Sequence, residues 1–157
     1  MKSKIVKQVF DFLPGRWKIA RSVASQVLCE NIKADGDAAF IVSKDNPNLI
    51  LYSEKVTIYN SALNTSLIAM QKYKYKHDIA TSSISKYFND GKFFYKLNIS
   101  DHKIGGEHLC IQDKYTSNYV FGDGQFTITY SVYGPSKCYE IITEYTKIDL
   151  SDVEQLI

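Results

Sequence analysis

The run Phe126-Thr127-Ile128-Thr129-Tyr130-Ser131-Val132 alternates apolar or aromatic side chains with hydroxyls at a period of two. Successive strand residues point to opposite faces, so Phe, Ile, Tyr and Val share one face and the hydroxyl residues the other, the mark of a half-buried antiparallel strand. This period governs the chain from Arg16 onward. Turn-forming groups interrupt it about every ten residues, the spacing of an all-β barrel or sandwich. They are Asp35-Gly36-Asp37, Asp45-Asn46-Pro47-Asn48, Asn89-Asp90-Gly91, Gly105-Gly106, Gly122-Asp123-Gly124 and Gly134-Pro135. Strands are expected near 16–25, 37–43, 49–56, 65–76, 82–89, 92–100, 107–113, 117–121, 126–133 and 138–147. No segment between them is long enough for a crossover helix, so neighbours pair as hairpins. Closing such a meander removes sheet edges and leaves an interior that can hold a ligand. The expected fold is all-β: one antiparallel barrel of about 8–10 strands.

The first residues follow a different period. Ile5, Val6, Val9, Phe10 and Leu13 recur at helical spacing after Ser3, a candidate N-cap, and the run stops at Pro14-Gly15. The chain is therefore divided into an N-terminal helix over 1–13, a barrel over 16–148 and a tail over 149–157, where Ser151-Asp152-Val153-Glu154 has the capping-box pattern of a short terminal helix. A length of 157 residues suits one domain.

Composition narrows the partners. Nineteen Lys+Arg against seventeen Asp+Glu leave a formal charge of +2, too small a bias to point to nucleic acid or an anionic membrane. In Gln71-Lys72-Tyr73-Lys74-Tyr75-Lys76-His77, bases and aromatics interleave as in single-strand binders, but the strand period puts the lysines on one face and Tyr73, Tyr75 and His77 on the other. No signal peptide or apolar membrane span is evident, which predicts a soluble, cytoplasmic protein, monomeric or homodimeric. Three cysteines, Cys29, Cys110 and Cys138, with no C-x-x-C spacing fit a reducing compartment better than a disulfide framework.

Leu13-Pro14-Gly15-Arg16-Trp17 with Arg21 looks like the Gly-x-Trp opening of lipocalins and other calycins. With Gly36-x-Ala38-x-Phe40, Leu51-Tyr52-Ser53-Glu54, Asp90-Gly91-Lys92-x-Phe94, His108-x-Cys110-x-x-Asp113-x-Tyr115 and Val132-Tyr133-Gly134-Pro135-Ser136-Lys137, the chain resembles an uncharacterised calycin-like domain family of bacteria and fungi. The resemblance implies a Trp near the closed end of the barrel with a basic residue of the last strand, here Lys147, packed over it. It departs at Tyr95, where a His is expected, and at Cys138, where an Asp is expected.

Candidate sites follow from parity and chemistry. His108 and Cys110 share a face of one strand, and either a metal or a thiol–imidazole pair is conceivable there. Two ligands make no metal site, however, and His102, Asp113 and Cys138 lie at no diagnostic spacing as a third. A catalytic thiolate would also need an exposed, electropositive setting. If Leu109 and Ile111 face the core, His108 and Cys110 face outward. No metal and no cofactor are expected. Trp17, Ile19 and Arg21 share parity, as do Tyr52 and Glu54, so an inward Trp17 carries Arg21 inward. An Arg21–Glu54 or Arg21–Asp113 pair would either fix strand register or anchor a polar group in a cavity. The expected function is binding of a small, partly aromatic or apolar molecule. Trp17, Tyr52, Tyr73, Tyr75 and Tyr95 would form the walls, with Arg21, Glu54, His108, Tyr115 and Lys137 as polar contacts. The alternatives are acid–base catalysis, with Glu54 or Asp113 as base and Tyr115 or His108 as proton donor, and an interaction module whose barrel is filled by its own side chains.

Overall fold

The computed structural model describes residues 2–25, 31–100, 103–110, 112–135 and 137–148, with the side chains of Asn31 and Cys110 outside the description. The Ser151–Glu154 pattern, His102 and Cys29 lie outside the described residues. Helix α1 (Lys2–Phe12) leads into ten strands: β1 (Gly15–Ser25), β2 (Asn31–Val42), β3 (Leu49–Asn60), β4 (Thr65–Asp78), β5 (Ser83–Phe88), β6 (Phe93–Ile99), β7 (Ile104–Cys110), β8 (Asp113–Gly122), β9 (Gln125–Tyr133) and β10 (Cys138–Lys147). Every pairing is antiparallel, and β1 bonds to both β2 and β10, which closes the barrel.

Three local expectations are corrected. Asp35-Gly36-Asp37 is no turn but the middle of β2, with Gly36 opposite Ile19 and Val56. Glycine serves there because a Cβ would stand 2.0 Å from the Lys55 carbonyl oxygen. Gly105-Gly106 is likewise inside β7, where a Cβ on Gly105 would meet the Ser117 carbonyl. In both places glycine marks a close backbone approach rather than a reversal. Ser3 lies within α1 rather than before it.

One end of the barrel is packed solid. Val6, Val9 and Phe10 of α1 are buried against it together with Leu13. Phe12 sits between Trp17, Phe121 and Phe126, with ring centres 5.2–6.1 Å away. Trp17 is fully buried and its Nε1 donates to the Leu13 carbonyl at 2.9 Å, so its one polar atom is satisfied inside the core. Phe126 stacks on Tyr145 at 4.3 Å and meets Trp17 edge-on at 4.8 Å. Lys147 reaches over this floor, with its Nζ 4.8 Å from the Trp17 ring centre and donating to the Pro14 carbonyl at 2.8 Å. Gly15, at φ +135°, makes that reach possible, since a Cβ would fall 2.8 Å from Lys147 Nζ.

Candidate functional site

Above the floor the aromatic packing gives way to a chamber of about 360 Å³. Its deeper wall is polar: Arg21, Tyr52, Glu54, Tyr73, Lys86, Tyr130, Thr143 and Tyr145. Toward the opening it is mostly apolar, with Val23 at the end of β1, Val56 and Ile58 on β3, Ala69 and Met70 on β4 and Ile141 on β10, and it includes the polar Gln71 on β4.

The ion pair at its centre is a product of the strand register. Arg21 lies opposite Ala34 on β2, while Glu54 on β3 lies opposite Ala38. Between the two positions β2 turns only Ala34, Gly36 and Ala38 inward, so nothing bulky blocks the arginine from crossing β2 to the carboxylate. The contact is a bidentate fork, Nη1 to Oε2 at 2.7 Å and Nη2 to Oε1 at 2.9 Å, and Arg21 Nε donates to Thr143 Oγ1 at 2.8 Å. Tyr52 donates to Glu54 Oε1 at 2.6 Å, and Tyr145 donates to Tyr52 at 2.9 Å. Burial alone would push the Glu54 carboxyl upward, but the hydrogen bonds and charge of Arg21 outweigh it and hold Glu54 below its ordinary range. Burial also opposes the Arg21 charge, and Glu54 overcomes it, so both partners stay ionised.

Lys86 on β5 is the other charged group of the chamber. It is 4 % exposed, and its Nζ donates to Tyr130 Oη at 2.8 Å and lies 4.0 Å from the Tyr73 ring centre. Burial pulls its ammonium down, Glu54 raises it and Arg21 lowers it, leaving a pKa of about 7. Tyr130 opens a chain of phenols beneath: its hydroxyl bonds Tyr95 at 2.7 Å, Tyr95 makes a short bond to Tyr119, and Tyr119 bonds Tyr75 at 3.2 Å. Burial drives all four phenols to titrate well above their usual range, so they remain neutral donors and acceptors.

The remaining sequence candidates lie elsewhere. Trp17 belongs to the floor, while Tyr75 and Tyr95 are completely buried in the phenol chain. His108, Asp113, Tyr115 and Lys137 gather at the ends of β7 and β8 and the start of β10, on the rim. Leu109 is 71 % exposed, so His108 turns inward, the opposite of the orientation expected had Leu109 faced the core. There it closes a seam. The β6–β7 ladder holds Asn98 opposite Gly105 and Ile99 opposite Ile104, and beyond Gly105 side chains take over. His108 Nδ1 donates to the Phe94 carbonyl at 2.8 Å, and Ser117 Oγ accepts from Gly106 N at 2.9 Å. Tyr115 packs beside His108 with ring centres 6.0 Å apart. Asp113 pairs with Lys137 at 3.3 Å, over a Gly134 whose Cβ would collide with the carboxylate. Thus His-x-Cys-x-x-Asp-x-Tyr and Gly-Pro-x-Lys meet at one rim contact. The thiol–imidazole pairing falls outside the description at Cys110. Among the described residues no three His, Cys, Asp or Glu side chains cluster as a metal site.

Sequence reasoning missed Lys86, Tyr130 and Thr143. A signal for Lys86 was present: it lies two residues from both Ile84 and Phe88, so a strand that buries those two buries Lys86.

These features define a class: a closed antiparallel barrel with one end plugged by a helix and aromatic rings, and a charged chamber in the other half. The family profile described as "Family of unknown function (DUF6314)" matches residues 13–147. The chain belongs to that family. No curated protein matches it. Among the described residues no helix is long and apolar enough to cross a membrane.

Proposed function

We propose that the barrel is a calycin-like binding module that takes a small molecule with an aromatic or apolar body and a polar head into the chamber. The chamber itself carries this reading: about 360 Å³ bounded by apolar residues outside and by Arg21, Glu54 and Lys86 within, in a barrel whose other half is packed solid. The helix across the floor and Lys147 over Trp17 support the calycin-like assignment. Binding is favoured over acid–base catalysis by Glu54 because that carboxylate is saturated by Arg21 and Tyr52 and held in a weakly basic state.

Two measurements test the proposal. Native mass spectrometry of the purified protein is expected to show a co-purified small molecule. Titration with 8-anilinonaphthalene-1-sulfonate is expected to saturate at one site and to lose that site in Ala69→Trp, which fills the mouth. No bound mass together with no saturable dye site would overturn it.

A further inference from the structure

Lys86 is partnered unlike the other charges of the chamber. Arg21 and Glu54 satisfy each other, whereas Lys86 has no carboxylate within ion-pair distance among the described residues. Among the described residues its Nζ donates to one phenol and lies over the Tyr73 ring, with the rings of Tyr75, Phe94, Tyr95 and Tyr130 5.3–5.6 Å away, on the cavity wall where a bound head group would sit. The ring faces favour an ammonium, but burial with no paired carboxylate opposes it more strongly and leaves an amine facing the cavity.

We propose that Lys86 is a nucleophile that captures an aldehyde or ketone borne on an aromatic or apolar body and holds it as an imine. This rests on the binding reading above and adds the reacting group. The Nζ lone pair attacks the carbonyl carbon, a C–N bond forms, and the C=O π pair moves to oxygen. A proton passes from nitrogen to that oxygen, giving a carbinolamine. A second proton from nitrogen then leaves with the hydroxyl as water, and C=N remains. Amine and carbonyl become imine and one water, with no oxidant or reductant required. Tyr130, at 2.8 Å from Nζ and continuous with Tyr95, is placed to relay both protons.

The groups facing Lys86 pull both ways, and burial prevails. Burial and Arg21 from β1 oppose its protonation, while Glu54 from β3 and the ring faces of Tyr73, Tyr75, Phe94, Tyr95 and Tyr130 from β4, β6 and β9 favour it. An ordinary lysine keeps its proton up to about 10.5, while this one exchanges near 7. The amine is therefore available where surface lysines are almost wholly protonated.

The test uses the intact protein, 2-naphthaldehyde and sodium cyanoborohydride at pH 7, with 2-naphthylmethanol as the non-reacting analogue. One naphthylmethyl group per chain is expected. Peptide mapping should place it on Lys86, at least ~10-fold faster than on any surface lysine. Lys86→Met should lose the adduct, and the mapping on wild-type protein decides the matter even if that variant folds poorly. Excess 2-naphthylmethanol should suppress labelling. If the alcohol displaces the anilinonaphthalene dye yet the aldehyde labels surface lysines at random or not at all, the imine is overturned and binding stands. If neither compound displaces the dye and no label reaches Lys86, the imine is overturned, while the binding reading falls only if the dye finds no saturable site and no mass co-purifies.

Discussion

The two halves of this barrel are built from the same residue types and do opposite things. In the floor, Trp17, Phe40, Phe126 and Tyr145 pack ring against ring, and the indole nitrogen finds a backbone carbonyl. In the chamber, tyrosines instead serve as hydrogen-bond partners for Glu54 and Lys86 and leave space between them. The floor stabilises; the chamber carries desolvated charge that the floor must offset. Such a division leaves the open space and the buried charges where packing is least complete.

The contrast can be broken at several points. The largest loss is expected for Trp17→Ala, about 3–5 kcal/mol in urea unfolding, because a fully buried ring vanishes from the densest part of the core. A loss below about 1 kcal/mol would mean that the floor is not the stabilising half. Glu54→Gln comes next, at about 3 kcal/mol, since it leaves the Arg21 charge largely uncompensated inside the barrel. Retention of full stability would show the fork to be dispensable.

Lys86→Met is expected to act with the opposite sign. The folded protein holds this ammonium at about 7 and the unfolded chain near 10.5, so between those values the unfolded chain binds more protons and stability rises with pH. The burial penalty is therefore fully present at and below pH 7. Replacing Lys86 should stabilise the fold there by roughly 2–4 kcal/mol, and the gain should shrink as pH approaches 10.5. A gain that is independent of pH in paired unfolding curves would contradict it. The smallest effect belongs to Lys147→Ala, about 0.5–1 kcal/mol, for an exposed cation over Trp17. A loss as large as that of Trp17→Ala would promote Lys147 from lid to keystone.

The rim sharpens the same distinction. His108 and Asp113 look reactive in the sequence because imidazole and carboxylate are reactive groups. In the fold His108 replaces a missing ladder bond to Phe94, and Asp113 is tied to Lys137. Neither lines the chamber, and both take part in contacts that tie the rim together.

What the sequence determined was local: ten strands, a helix before them, and the face on which each residue of a strand lies. The period of two follows from backbone geometry alone, so Trp17 and Arg21 share one face of their strand and Tyr52 and Glu54 share one face of theirs whatever the fold. Gly36 and Gly105 misled because a glycine needed for close approach and a glycine needed for a turn are the same letter. Only the tertiary structure decided which inward residues meet. That depends on the stagger between strands around the closed barrel, which brings Arg21 across β2 to Glu54 and Lys86 to Tyr130 while leaving His108 and Asp113 at the rim. Parity is written in the chain, but height and angle in the barrel are properties of all ten registers together.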